Sequence, residues 1–233
     1  MKPTPEEVDQ LLTSDNYGDR ISGVNQLRTL DPACAFDLIQ KMVTDKNTRV
    51  RYAAVSQLSS LGKQDPPLAL TILRDRLLND PETDVQAAAA DSLGALQLTE
   101  AYPDLAQVYY STSEWLLQFS IVACLGEMGD PNSFALLQEA LSSPIELIQT
   151  AAIVALGELK DTRAIPLIIS FLSHPDWQIR HRVAQALEHF QRSSVQAALE
   201  TLAQDPQESV AQEAQRILQL STPESVILEQ SSF

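Results

Sequence analysis

Apolar residues recur along this sequence with a period of about 31 residues. Within each period they occupy a reference position and the positions 4, 8 and 11 residues later, which at 100° per residue form one stripe on an α-helix. The reference positions, spaced 35, 32, 31, 31 and 31 residues apart, are Val50, Val85, Leu117, Ile148, Ile179 and Val210. A helical stripe repeated at this period predicts stacked helical hairpins in which each stripe belongs to an inner helix.

A second apolar segment precedes each of four stripes and is predicted to form the outer helix of its hairpin. Three of these segments begin at Asp-Pro pairs, because a carboxylate caps free amides and proline fits the first helical position. The pairs are Asp31-Pro32, Asp65-Pro66 and Asp130-Pro131. Further prolines at positions 81, 144, 175 and 206 predict turns between the helices, and no segment carries a strand signal.

The fold predicted from this pattern is all-α, a right-handed α-solenoid of about seven helical hairpins. One hairpin cannot bury its apolar stripe alone, so residues 1–220 are expected to form a single repeat domain. The expected hairpins span residues 4–30, 31–61, 65–97, 100–129, 130–160, 161–191 and 193–220. Residues 221–233 are expected to form a loosely held tail.

The charge balance narrows the classes of partner. Sixteen Lys and Arg residues against 31 Asp and Glu residues give a formal net charge of −15, which disfavours nucleic acid and anionic membrane surfaces. The sequence has no signal peptide and no apolar run of the roughly 20 residues that a membrane span needs. With two cysteines in no metal or disulfide pattern, a cytoplasmic location is expected.

The face of each inner helix opposite its apolar stripe is predicted to line a concave groove. This face comprises positions −2, +2, +5 and +9 from the reference residue. It contains Thr48, Tyr52 and Val55 in the second hairpin, Trp115, Phe119 and Val122 in the fourth, and Trp177, His181 and Glu188 in the sixth. Aromatic side chains are frequent anchors of interfaces, so the pattern predicts a recognition surface. Alternatively, the rings cover the ends of neighbouring helices inside the stack.

Two arginines flank this predicted face, at position +1 of their helices. Arg51 and Arg180, with Arg182 nearby, have the planar donor geometry that suits carboxylates of a partner. The alternative is structural, since such arginines can bond Asp side chains and turn carbonyls of the adjacent repeat.

No catalytic constellation or metal site emerges from the sequence. His174, His181 and His189 fall at a turn and on different helix faces, so no set of three or four ligands is expected. Cys34 and Cys124 are predicted to be buried packing residues. Gly94, Gly126, Gly129 and Gly157 fall near predicted helix ends, and no glycine-rich phosphate loop is present.

These hairpins resemble the short HEAT-like repeats of the phycobilisome lyase type. The resemblance lies in an Asp-rich turn, a hydrophobic-Arg pair and an alanine-rich helix, seen at residues 47–54 and 176–183. Residues 79–88 and 112–120 resemble the phycobilisome degradation proteins of cyanobacteria within that group. The chain departs from the pattern where the arginine is replaced, at Gln86, Gln118, Gln149 and Ala211.

The resemblance implies a non-catalytic adaptor that binds phycobiliproteins, phycocyanin or allophycocyanin, during degradation of the light-harvesting antenna under nutrient stress. A small phycobilisome-degradation adaptor protein is a further implied partner, and no resident cofactor is expected. The alternative is a lyase-like protein that binds phycocyanobilin transiently and attaches or detaches it. There, Trp115, Phe119 and Trp177 would stack on the pyrroles, Arg180 would hold a propionate and His181 would move a proton. A general helical-repeat scaffold is the third hypothesis.

Overall fold

The computed structural model describes residues 2–220, which are folded almost entirely into helices, with no β-strand in that range. The all-helical prediction is confirmed, whereas the expected tail at residues 221–233 lies outside the described residues. The α-helices are α1 (Pro5–Leu12), α2 (Tyr17–Gln26), α3 (Pro32–Ile39), α4 (Thr48–Leu61), α5 (Pro66–Asn79), α6 (Thr83–Ala95), α7 (Tyr102–Ser111), α8 (Trp115–Met128), α9 (Phe134–Ala140), α10 (Glu146–Leu159), α11 (Ala164–Ile169), α12 (Trp177–Leu187), α13 (Arg192–Leu202) and α14 (Glu208–Leu220). Short 3₁₀ turns are formed by Leu27–Thr29, Gly62–Gln64, Thr99–Ala101 and Pro131–Ser133.

Across residues 2–220, consecutive helices pair into seven hairpins, each with an odd-numbered outer helix and an even-numbered inner helix. The Asp-Pro starts form as expected. Asp31 accepts hydrogen bonds from the amides of Ala33 and Cys34, and Asp65 accepts one from the amide of Leu68. These caps satisfy amides that have no partner inside the helix, and so they fix where α3 and α5 begin.

The predicted apolar stripe forms the core. All six reference residues are buried, as is every residue at position +4, from Ala54 to Ala214. The buried side chains form one hydrophobic cluster that extends from Val8 in α1 to Ile217 in α14. Each hairpin therefore buries its stripe against its neighbours, as an α-solenoid requires.

The inner helices of the middle repeats touch backbone to backbone at glycines. A Cβ atom on Gly126 would lie 2.6 Å from the Cα of Ala155, and one on Gly157 would lie 2.8 Å from the Cα of Ala186. A Cβ atom on Gly94 would likewise lie 2.9 Å from the Cα of Cys124. These three glycines lie within two residues of the ends of their helices, as expected, and they also lie inside the contact surface, where they let α6, α8, α10 and α12 approach closely.

This close approach determines the curvature of the stack. The inner helices of neighbouring hairpins contact each other more extensively than the outer helices do. A stack that is narrower along one edge bends toward that edge, so the inner helices line the concave face. None of the helices between residues 2 and 220 combines the length and the apolar character needed to cross a membrane.

Candidate binding groove

The solvent-facing strip of the inner helices differs from the predicted one. Position +5 is buried in the second to sixth hairpins, as Val55 and Val122 show, and position +9 is glycine at the closest contacts. Each inner helix contacts an inner helix on both sides as well as its own outer helix, which leaves a narrow open strip. That strip runs through positions −2, −1, +2 or +3, +6 and +10, of which −2 and +2 belong to the predicted face. The predicted face was therefore rotated by about one residue at its C-terminal half.

An exposed apolar rim lies along the first turns of three inner helices. We call the residues Trp115, Leu116, Leu147 and Trp177 the rim. Trp115 is 44% exposed and Trp177 is 39% exposed, and the two leucines of α8 and α10 are exposed to a similar degree. The tryptophans are therefore not enclosed between helices, which was the alternative to a recognition surface. Leu116 and Leu147 were missed in the sequence, although they directly precede the buried residues Leu117 and Ile148.

Two connected cavities occupy the floor of the groove beyond the rim. The first lies between α10, α12 and α14 and is lined by Leu147, Thr150, Trp177 and His181. The second lies between α8, α10 and α12 and is lined by Phe119, Ala123, Ala151, Val154 and the carboxylates of Glu127 and Glu158. Thr150 and Arg182 line both cavities, so the two form one continuous depression.

Tyr52 lies further along the groove, in a third depression. It is 49% exposed on α4 and lines this depression together with Asp84, Asp91 and Leu116. Three of the six predicted site residues, Phe119, Trp177 and His181, therefore line the connected cavities. Trp115 belongs to the rim, and Tyr52 lies on α4, the second inner helix before α8.

Arg180 is the predicted site residue that the structure takes out of the groove. Its Nε and Nη2 donate to the two carboxylate oxygens of Asp205, at 2.6 and 2.9 Å, and its Nη1 donates to the carbonyl oxygens of His174 and Pro175. The pair is nearly buried, with 13% and 6% of the two side chains exposed. The structure therefore supports the structural alternative for Arg180, because its donors already hold the next repeat.

Arg51 forms the same two-bond ion pair with an aspartate of the next repeat, an arrangement that we call a clasp. An arginine that sequence reasoning missed forms a third clasp. Arg51 binds both oxygens of Asp80 at 2.9 Å, and Arg20 binds those of Asp45 at 2.7 and 3.0 Å. Arg20 was missed because the reference position of the first repeat is Asp19, which breaks the apolar pattern. The bond from Arg180 lowers the pKa of Asp205 despite its burial.

The open strip carries a row of carboxylates on three successive inner helices. Asp91 of α6, Glu127 of α8 and Glu158 of α10 form this acidic row, and within residues 2–220 none of them belongs to an ion pair. An Oε atom of Glu158 lies over Gly126, the residue before Glu127. Glycine at +9 could have located Glu127 and Glu158 from the sequence, since a close contact there turns position +10 to the groove, whereas Asp91 lies at position +6.

Exclusion of water in the groove and mutual repulsion raise the pKa values of two of these carboxylates. The pKa of Glu158 is raised, first because the surrounding helices exclude water and then because Glu127 is near. The pKa of Asp91 is raised by the same exclusion of water, which outweighs a hydrogen bond with Ser120, and by Glu127. Asp91 nevertheless stays open to solvent at its outer side. A positive charge that approaches the acidic row would therefore interact favourably with it.

The groove holds no evident nucleophile or metal centre among the described residues. Cys124 is buried between helices, and its burial raises the pKa of its thiol far above the usual range. Cys34 is half-buried on the outer helix α3. No group of three His, Cys, Asp or Glu residues in this part of the chain is arranged to hold a metal ion. The groove presents aromatic and aliphatic surface next to carboxylates.

The fold and groove define an α-solenoid repeat protein with an open concave face. The sequence matches HEAT repeats over residues 5–94, 70–153 and 135–219, and these matches together span most of the chain. The chain therefore belongs to the family of HEAT repeat proteins. No curated protein matches it at a significant level.

Solved structures share the fold. The complex of CpcE and CpcF of phycocyanin lyase from Nostoc sp. PCC7120 contains a chain that is 23% identical, with a TM-score of 0.63 over 94% of each chain. An engineered protein is 18% identical with a TM-score of 0.60, over 92% of this chain and 67% of its own. The archaeal HEAT-like repeats protein from Thermococcus onnurineus NA1 is 15% identical with a TM-score of 0.53, over 94% and 97%.

Proposed function

We propose that this chain is a non-catalytic adaptor that binds a phycobiliprotein, phycocyanin or allophycocyanin, in its concave groove during phycobilisome degradation. The observation that carries the proposal is the rim, where two tryptophans and two leucines are exposed on neighbouring inner helices. Exposed apolar residues grouped on one face of a folded protein are typical of interaction sites. Aromatic residues there contribute much of the binding free energy.

The choice of a phycobiliprotein as the partner depends on similarity to known proteins. The chain has the fold of a chain of the phycocyanin lyase complex, over nearly the full length of both. Its turns and inner helices at residues 79–88 and 112–120 resemble the phycobilisome degradation protein NblB. The resemblance also implies a small phycobilisome-degradation adaptor protein as a further partner, and the two cysteines without a disulfide pattern favour a cytoplasmic location.

The test is binding of the chain to purified phycocyanin and allophycocyanin by calorimetry. We expect the double variant Trp115→Ala and Trp177→Ala to bind at least about 30-fold more weakly, since a buried aromatic anchor contributes about 2 kcal/mol or more. Both side chains are already exposed, so the melting temperature should barely change. Tyr110→Ala is the matched control, because Tyr110 is 59% exposed on the outer helix α7. Undiminished binding by the folded double variant would refute the proposed surface.

A lyase-like protein that attaches or detaches phycocyanobilin is the second candidate. The likeness to a chain of phycocyanin lyase favours it, as do Phe119 and Trp177, whose rings line connected cavities large enough to admit a pyrrole. Arg180 no longer supports it, because its donors are engaged by Asp205 and two carbonyl oxygens. Incubation with holo-phycocyanin followed by denaturation distinguishes the candidates: an adaptor leaves the covalent bilin content constant, and a lyase-like protein changes it.

A further inference from the structure

We infer that the element bound in the groove is an amphipathic helix with Lys or Arg residues along one flank of its apolar face. The inference deepens the proposed function and rests on its groove, but it does not depend on the identity of the partner protein. It follows from how the apolar and acidic residues of the open strip are arranged across the inner helices.

The apolar part of the groove runs across three inner helices. It starts at the rim and continues over Phe119 and Ala123 of α8 and over Ala151 and Val154 of α10, which line one cavity. A surface of this kind is what the apolar face of a helix packs against when it binds in a groove.

Glu127 and Glu158 of the acidic row border this apolar surface on the side away from the rim, whereas Asp91 lies in the depression that Leu116 also lines. From Trp115 to Glu127 is twelve residues along α8, a rise of about 18 Å at 1.5 Å per residue. That width exceeds the 10–12 Å diameter of a helix with its side chains. A helix that lies across α8 and α10 therefore fits between the rim and Glu127, and the long, flexible Lys or Arg side chains on its flank cover the remaining distance to the carboxylates.

The spacing of the carboxylates sets the spacing of the charges that they would bind. Glu127 and Glu158 both lie at position +10 of successive packed helices, whose axes are about 8–10 Å apart, whereas Asp91 lies at position +6 of α6, one helical turn nearer the start of its helix. Positions seven residues apart on a bound helix lie on one face and are about 10 Å apart along its axis. Glu127 and Glu158 thus fit Lys or Arg residues at i and i+7 of a bound helix, and in a helix of about 18 residues a third basic residue at i+14 extends toward Asp91 or past Glu158.

The electrostatic state of the groove favours this occupant over others. The carboxylates of the row lack ion pairs within residues 2–220, and Glu127 repels both of its neighbours. Arg182 lines the same cavity, but within residues 2–220 it forms no ion pair with the row, and its Nη1 donates instead to Oε1 of Gln185, at 2.8 Å. A second copy of this chain, also at −15, would add like charge, as would a nucleic acid.

The experiment titrates the full chain with a synthetic 18-residue helical peptide. The peptide has leucine and phenylalanine on one face, Lys at i, i+7 and i+14, and no tryptophan, so the intrinsic fluorescence of Trp115 and Trp177 reports binding. The control peptide carries Glu in place of each Lys. We expect the basic peptide to bind at least about tenfold more tightly than the acidic one, with an affinity that falls as salt rises.

The groove variant for this test is Glu127→Gln with Glu158→Gln. We expect it to bind the basic peptide at least about tenfold more weakly and to lose most of the salt dependence. The matched variant Asp37→Asn with Glu200→Gln makes the same change in net charge on the exposed surface of the outer helices α3 and α13. It should bind within about twofold of the wild type. Equal binding of the two peptides, or equal weakening by the two variants, overturns the inference, as does self-association of the free chain through the groove.

The same variants separate this inference from the proposed function. If phycocyanin binding depends on the rim but not on Glu127 and Glu158, the adaptor proposal stands and the basic helix is wrong. If phycobiliproteins do not bind while the basic peptide binds in the groove, the helix inference stands and the partner class is wrong.

Discussion

The end repeats and the middle repeats of this solenoid are held together differently. At the ends, an arginine at position +1 of one inner helix binds an aspartate in the turn of the next repeat, in the pairs Arg20–Asp45, Arg51–Asp80 and Arg180–Asp205. In the middle, both members of the pair are replaced. The arginine becomes Gln86, Gln118 or Gln149, and the aspartate becomes Thr112, Ser143 or His174.

The middle repeats replace charge by closer packing. Gln118 donates to the carbonyl oxygens of Tyr109 and Thr112, and Gln149 donates to that of Leu141, so neutral bonds anchor these turns. Meanwhile the glycines at position +9 bring the inner helices into backbone contact. The comparison teaches that loss of the arginine comes with loss of its aspartate, which avoids a buried unpaired carboxylate. The rim and the acidic row lie on these closely packed helices.

The largest effect is expected where a clasp loses one partner. Arg180→Ala should lower the free energy of unfolding by about 3 kcal/mol, because it leaves the nearly buried carboxylate of Asp205 without its partner. Lys41→Ala, which breaks the exposed pair with Asp9, should cost less than about 1 kcal/mol. Urea unfolding of both variants checks this difference, and equal costs would contradict the clasp.

Replacing both residues of the last clasp by those found in the middle repeats should restore most of the lost stability. The double variant Arg180→Gln with Asp205→Thr copies the residues at the equivalent positions of the middle repeats, Gln86 and Thr112. We expect its free energy of unfolding to lie within about 1 kcal/mol of wild type, since replacement of a buried ion pair is often nearly neutral. The two single variants complete the cycle. If the double variant loses the sum of the single losses, the two positions do not form a unit.

In the middle repeats the corresponding sensitive point is a glycine. Gly126→Ala should cost about 2 kcal/mol, because the new Cβ lies 2.6 Å from the backbone of α10 and the helices must separate. Gly18→Ala in α2 is the matched control, since its Cβ would meet a side-chain oxygen at 3.2 Å and alanine favours the helix. Thermal unfolding of both variants gives the comparison, and a neutral Gly126→Ala would mean that the contact is loose.

The smallest predicted effect is the pH dependence of stability, which differs between the end repeats and the middle repeats. The folded-state pKa of Asp205 is lowered by Arg180, so its stabilisation is present above its unfolded value and is lost as pH falls through the folded value, below about pH 4. The folded-state pKa of Glu158 is raised, so the folded chain gains stability as pH falls from neutral toward about 4.3. Melting temperatures should therefore rise slightly and then drop on acidification. The initial rise should be smaller in Glu158→Gln, and an unchanged rise would contradict the raised pKa of Glu158.

Sequence reasoning located the hairpins but misplaced part of the groove. The 31-residue columns and the Asp-Pro caps identify the helices because burial and capping depend on local, periodic residues, as Val50 and Asp31 show. The open face was placed opposite one stripe, which suits a helix buried on one side. Val122 is buried because α8 has inner-helix neighbours on both sides, a tertiary effect. The bonds of Arg180 could not be assigned for the same reason, since Asp205 lies in another repeat.

The most direct test of the binding groove is amide hydrogen exchange of the chain with and without phycocyanin. Amides in the first turn of a helix lack intrahelical partners and exchange readily, so contact with a partner protects them visibly. The account predicts protection at the first turns of α8, α10 and α12, around Trp115, Leu147 and Trp177, with little change in the outer helices α5, α7 and α9. Protection confined to those outer helices, with unchanged exchange at the rim, would contradict it.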